Sequence, residues 1–299
     1  MAEPSSGLPR WLGLATQVAA PVTLVSTLLF YFGYVYTRAQ YAYFGVDVDT
    51  IGLVTRDYVM RSPQPLLVPL LVLTVVSVAV VALRGRVDAR VRVAREEPSG
   101  GGAAIVLRAG RAVVGAGVAL LVAGLVLLVA YAWWSAWPYL TLVSAVLIGF
   151  GAVTTAIALP YVTSRAPGTV AGLWVVVVAA AFWAVSITAD WSGNGRAQEI
   201  ARDLGSLPAV ILDSPTDLRL RNTVPPPADL CLRADGGVDE ACAALTDEPR
   251  YRYRFRLLVQ GPDAMFLVPA TWSASATTLM VPDGAPVRVQ FQFVNVPPG

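Results

Sequence analysis

The chain has no histidine and no lysine. All 22 basic residues among its 299 are arginine. Without histidine there is no Ser-His-Asp triad, no His-ligated zinc or haem and no imidazole proton relay. Without lysine there is no Schiff base and no Walker-type phosphate loop. Charge of either sign is also scarce, 14% of residues against about 25% in ordinary soluble domains. Cysteine occurs only twice, at Cys231 and Cys242.

What fills the chain instead is apolar mass, 56% of residues, with a mean hydropathy of +0.60. It is concentrated in five stretches, at about 11–36, 65–83, 112–134, 139–162 and 169–189, none of which contains Asp, Glu or Arg. A helix needs roughly 20 apolar residues to cross ~30 Å of hydrocarbon, so each stretch predicts a transmembrane helix. The first is longer than a signal-peptide core and lacks a small-residue cleavage site, so it is expected to remain as a span. Beyond Asp190 the composition turns polar, and a domain boundary is expected there.

The arginines predict the threading. The loop after the second stretch holds Arg84, Arg86, Arg90, Arg92, Arg95, Arg108 and Arg111 against Asp88, Glu96 and Glu97. Short basic loops stay cytoplasmic. With five crossings this gives a cytoplasmic tail at 1–10, a transmembrane domain at 11–189 and an extracytoplasmic domain at 190–299. The net charge of +2 resolves into +5 over residues 1–189 and −3 over residues 190–299. VDARVRVAREE reads as a helical extension of the second span and PSGGGAA as a flexible break.

The fold class expected is therefore a five-helix membrane bundle followed by a small α+β domain with an antiparallel sheet. RAQEIARDLG has helical spacing. PAVILD, RYRYRFRLLV, AMFLVPA, TTLMVP and VRVQFQFVN read as strands, the last with Val287, Val289, Phe291 and Phe293 inward. Cys231 and Cys242 both fall in this domain. A pair confined to an oxidising compartment reads as a disulfide, with free thiols and metal thiolates as the alternatives.

Four features are candidates for binding. Arg250, Arg252, Arg254 and Arg256 alternate with Tyr251, Tyr253, Phe255 and Leu257. On a strand they share one face as a ladder ~20 Å long that fits anionic headgroups, polymer phosphates or carboxylates. The competing reading is a solvent face paired with acids such as Asp213 or Asp247. Tyr31, Tyr34, Tyr36, Tyr41 and Tyr43, with Trp133, Trp134, Trp137 and Tyr139, read as an interfacial belt or as the aromatic mouth of a lipid or glycan site. Asp235, Asp239 and Glu240 are acidic but lack calcium-loop spacing. Gly168 with Gly172, and Ala119 with Ala123, have the spacing of close helix packing.

The loop TRAQYAYFGVDVDTIGLVTRDYVMRS, the spans that follow it and the tail YRYRFRLLVQGPDAMFLVPATW resemble uncharacterised multi-pass membrane proteins of high-GC actinobacteria, a family with no assigned activity. The residues themselves predict no catalytic, cofactor-binding or metal site and no cofactor. The expected partners are the lipid bilayer and an anionic lipid, an envelope polymer or another membrane protein. Nucleic acid is not expected beside a net-negative outside domain. The leading expectation is a non-enzymatic binding, sensing or scaffold module facing the envelope. The alternatives are a subunit of an oligomeric channel or transporter and, more weakly, a membrane enzyme working through Arg and Asp alone.

Overall fold

In lipid a backbone must satisfy its own hydrogen bonds, so uncharged apolar runs of this length fold as helices. The structure is a computed structural model and describes residues 10–96, 101–131, 133, 139–163, 167–220, 223, 251–273 and 275–292. Its long helices are α1 (Arg10–Ala42), α4 (Pro63–Glu96), α5 (Gly101–Tyr131), α6 (Leu140–Val162) and α7 (Pro167–Arg202). Among the described residues, five segments are long and apolar enough to cross a membrane: Ala19–Ala42, Pro63–Val93, Ala104–Tyr131, Leu140–Val162 and Gly168–Arg202. Two short helices, α2 (Val48–Ile51) and α3 (Thr55–Arg61), stand between α1 and α4.

Several helices outrun the apolar stretches that predicted them. VDARVRVAREE does continue α4, to Glu96. The expected break at PSGGGAA is shorter than its glycines suggested, because α5 already begins at Gly101. RAQEIARDLG is not a separate helix. Its first seven residues, to Arg202, are the end of α7, and Leu204–Ser206 form a short 3-10 turn after it. The 36 residues of α7 run on past residue 190 to a length of ~54 Å, well beyond the ~30 Å of a hydrocarbon core.

The chain divides into two compact units, Met1–Arg61 with Ser192–Gly299, and Ser62–Trp191. One division falls between Trp191 and Ser192, and the first 61 residues group with the tail. The reason lies in what they bury. Tyr41, Val46, Val48, Ile51 and Tyr58 form one core with Val259, Ala264 and Phe266 of the sheet. Two devices hold this cover in place. Asp47 caps α2 by accepting from the Asp49 amide, and Gly52 ends it at φ 73°, a left-handed geometry that favours glycine. Gly33 lets α1 meet the Tyr58 backbone where a Cβ would have no room.

The sheet has five described strands, β1 (Ala209–Ser214), β2 (Tyr251–Gln260), β3 (Ala264–Pro269), β4 (Leu279–Pro282) and β5 (Arg288–Gln292). They lie in the order β4-β3-β2-β1-β5, and every pairing is antiparallel. All five expected strands are present. One face gathers Val210, Leu212, Tyr253, Phe255, Leu267 and Val281. A bulge between Leu257 and Val259 shifts the β2–β3 register, so Leu257 pairs Leu267 while Val259 pairs Phe266. The extra residue turns Val259 to the opposite face, where α1–α3 cover it. Val287 and Val289 pack inward as expected. Phe291 does not and is 54% exposed, and Phe293 lies outside the described residues.

The unit Ser62–Trp191 packs differently. α5 and α6 lie close together through small residues. A Cβ on Gly117 would strike Thr154 and Thr155, and one on Gly151 would strike the α5 backbone at Gly117 and Leu121. The pairs that sequence spacing favoured are elsewhere. Gly168 and Gly172 have open space around them, and Ala119 and Ala123 are exposed. Thr154 and Thr155 donate to carbonyls of their own helix, Thr155 to Gly151 at 2.7 Å, which satisfies both hydroxyls without a partner helix. Asp88 of α4 accepts a short hydrogen bond from the Tyr161 hydroxyl of α6.

Candidate functional site

The arginine row is the first candidate. β2 does carry Arg252, Arg254 and Arg256 on the face opposite Tyr253 and Phe255, while Arg250 lies outside the described residues. The row is not a free ladder. The strand register sets Asp213 of β1 between Arg252 of β2 and Arg288 of β5. Arg252 donates from Nε to Asp213 Oδ1 at 2.9 Å, with both side chains nearly buried, and Gln290 Nε2 donates to Asp213 Oδ2 at 3.1 Å. Arg256 donates from Nη1 to the Leu207 carbonyl at 2.9 Å, and its buried Nε has no partner among the described residues. Only Arg254 of the three is exposed. Asp213 is thus the pairing acid that the competing reading anticipated, and Asp247 lies outside the described residues.

The tyrosines near the end of α1 are the second candidate, and part of the expected belt is protein core. Tyr36 and Tyr41 are buried, whereas Tyr31 and Tyr43 are exposed. Arg61 donates to the Tyr41 hydroxyl at 2.8 Å and lies over its ring. Tyr34 donates to Asp49 at 3.3 Å, and the Tyr58 ring meets Phe30 edge to face at 5.4 Å. Burial, with Asp49 nearby, holds the Tyr58 phenol above its ordinary value. Of the tryptophan group, Trp133 is 83% exposed and Tyr139 meets Trp191 edge to face at 5.2 Å. Trp134 and Trp137 lie outside the described residues, as do Cys231, Cys242, Asp235, Asp239 and Glu240. Arg84, Arg86, Arg90, Arg92 and Arg95 all lie on α4, and Arg92 donates to the Asp88 carbonyl at 3.4 Å.

The structure adds a site that the sequence reading missed. A cavity of about 710 Å³ opens where α1 ends, lined by Tyr43 and Phe44, by Leu204, and by Trp272, Ser273 and Thr277 of the β3–β4 connection among others. That volume is in the usual range for small-molecule pockets, about 300–1,000 Å³. Its wall is fixed by local bonds. The Phe44 and Gly45 amides close the last turn of α1, Gly45 at φ 72°, and the Thr278 hydroxyl donates to the Phe44 carbonyl at 2.6 Å. The Tyr43 and Phe44 rings meet edge to face at 5.4 Å. Trp272 remains 54% exposed and Tyr43 40%. Among the described residues, no carboxylate or guanidinium lines the space. The available signal was TWSASATT, a hydroxyl-rich run around a tryptophan, placed in a connection longer than a hairpin needs.

A polar latch lies beyond β1. The Tyr253 hydroxyl donates to Asp217 Oδ1 at 2.7 Å and accepts from the Leu218 amide at 2.9 Å. The Tyr253 bond, then the Arg219 amide, hold the Asp217 carboxyl below its ordinary range. Burial, then that same bond, raise the Tyr253 phenol.

No family model, curated protein or solved structure matches this chain. The site is therefore interpreted from its own chemistry.

Proposed function

We propose that this chain is a multi-pass plasma-membrane protein that recognises a ligand outside the cell, without catalysing a reaction on it. The observation that carries this reading is the cavity at Tyr43, Phe44 and Trp272. It is large enough for a ligand, and among the described residues its walls present aromatic rings and hydroxyls but no carboxylate or guanidinium. Aromatic bodies with a few placed polar groups are the usual walls of a binding pocket. General acid–base work most often uses an imidazole or a carboxylate, and among the described residues the lining holds neither.

The orientation we favour follows from α4. Its C-terminal part carries Arg84, Arg86, Arg90, Arg92 and Arg95, the positive charge that is retained in the cytoplasm. The N-terminus then lies inside, and the 44–61 cap and the sheet lie outside. In that oxidising compartment Cys231 and Cys242 would form the expected disulfide. The bilayer is one partner, with anionic lipid beside the α4 arginines. An envelope polymer or another membrane protein is the outside partner class.

The test against a channel or transporter subunit is solute flux. The purified full chain, reconstituted into liposomes, is expected to leave ion and small-solute leakage at the protein-free level. A leak that scales with protein and responds to Gly151→Val, placed where α5 and α6 touch, would replace recognition with transport.

A further inference from the structure

Building on the recognition reading, we propose that the cavity at the end of α1 takes a neutral carbohydrate, an uncharged oligosaccharide held flat against Trp272. A pyranose has two kinds of surface. One is a face of C–H groups that lies against an aromatic ring. The other is a rim of hydroxyls, each both donor and acceptor. The cavity presents the complements of both. Trp272 and Tyr43 are exposed enough to offer ring faces. Thr271, Ser273 and Thr277 line the same space with hydroxyls that can donate and accept. Thr278 is already committed to the Phe44 carbonyl and holds the wall rather than the ligand.

Charge argues against the other ligand classes. An anion or cation entering this space would lose water without meeting an opposite charge among the described lining residues, which is unfavourable. Arg256 stands opposite Val268, which does line the cavity, but Arg256 itself is absent from the wall and gives Nη1 to Leu207. A purely apolar ligand would leave the hydroxyls of Ser273 and Thr277 unmatched.

The position along α1 separates a free or polymeric sugar from a bilayer glycolipid. Charged residues of the cap, Asp49 and Arg56 among them, belong to the segment packed on α1 from Phe30 onward, so hydrocarbon must end below that level. Ala42, at the cavity, is twelve residues further on, ~18 Å along the helix axis. The headgroup layer adds only ~5–8 Å per leaflet. The cavity therefore stands clear of lipid headgroups and faces material in the space beyond them.

The experiment uses the full chain in nanodiscs. Tri- to hexasaccharides of glucose, galactose, mannose and N-acetylglucosamine are titrated by saturation-transfer NMR. Parallel arms use an acidic oligosaccharide, anilinonaphthalene sulfonate as an apolar probe, and a monosaccharide glycolipid built into the disc. At least one soluble neutral oligosaccharide is expected to bind. Trp272→Ala should weaken it by about tenfold or more, and Thr277→Val by about three- to tenfold. Ala276→Trp, which fills the cavity, should abolish binding. Arg254→Ala should leave it unchanged. Trp272 is half exposed, so its loss should not unfold the chain. Silence of every neutral saccharide up to ~10 mM, or binding that survives Trp272→Ala and Ala276→Trp, overturns the proposal. Saturable binding of the acidic or apolar probe instead, lost with Trp272→Ala, overturns the sugar assignment and keeps recognition. Glycolipid binding without soluble binding overturns the placement beyond the headgroups. No binding in any arm removes the recognition reading as well.

Discussion

The two units of this chain bury opposite kinds of residue. In Ser62–Trp191 the large side chains point outward. Val68, Leu71, Val75, Val126 and Phe150 are more than half exposed, while Ser144, Ala145, Gly151, Ala152 and Ala156 are buried. In the unit that holds the sheet, the sheet and its cover bury large side chains: Tyr253, Ile51, Leu212 and Leu267 have relative exposures of 2% or less, while Val22, Leu24 and Val25 of α1 in the same unit stay more than half exposed. Apolar content alone does not distinguish these solutions. In lipid an outward valine costs nothing, and helix association rests on close backbone approach. In water the large residues must be covered, and the cover is drawn from α1–α3.

The comparison can be broken most sharply at the buried charge pair. Asp213→Ala leaves Arg252 without its carboxylate in the middle of the sheet, and should cost about 3–4 kcal/mol in denaturant unfolding followed by a sheet signal. Replacing Asp213 and Arg252 together with apolar residues should recover much of that loss. Leu212→Ala comes next, at about 3 kcal/mol, whereas truncating an outward residue of the other unit, as in Val75→Ala, should stay within about 0.5 kcal/mol. Gly151→Val reverses the sense of the test. Enlarging a small residue between α5 and α6 should cost about 1–3 kcal/mol, read as a lower melting temperature in detergent.

The smallest effect is that of pH, and it belongs to the sheet-bearing unit. Asp217 is held below its ordinary range in the fold, so its stabilising contribution is present above the unfolded value near 3.8 and is lost as pH falls through the lowered folded value. Tyr253 and Tyr58 are held above 10.0. Their contribution is present below that value and is lost as pH rises through their raised folded values. Stability of this unit should therefore fall at both extremes, and Tyr253→Phe should flatten both edges. An unchanged profile in that variant would disconnect the latch from stability.

The helices and strands were largely legible because each kind of element imposes a simple pattern on its residues. Long uncharged runs predicted the spans, and the alternation in RYRYRFRLLV predicted β2. The pairing of chain segments was less visible. YAYFGVDVDTIG looks like a polar loop with aromatic neighbours, because its buried residues, Tyr41, Val46, Val48 and Ile51, follow neither a helical nor a strand period. They are spaced by a capped turn and a left-handed Gly52. The arginine row was readable as a strand face, and Asp213 was named as a partner. The pairing depends on register across three strands, which one strand's pattern does not encode. The cavity was least legible, because Tyr43 and Trp272 lie far apart in the chain and come together where Phe44 packs on Leu204 and Val268 and where Thr278 bonds the end of α1.

The account stands on the claim that the 44–61 segment and the sheet share the outside face while the arginines of α4 face the cytoplasm. In a Cys231→Ser, Cys242→Ser background, single cysteines at Arg56, Asp283 and Arg92, all at exposed positions, can be probed in intact cells with a membrane-impermeant maleimide. The account predicts labelling of Arg56→Cys and Asp283→Cys before lysis and of Arg92→Cys only after it. Labelling of Arg92→Cys in intact cells, or Arg56→Cys and Asp283→Cys on opposite sides, would contradict it.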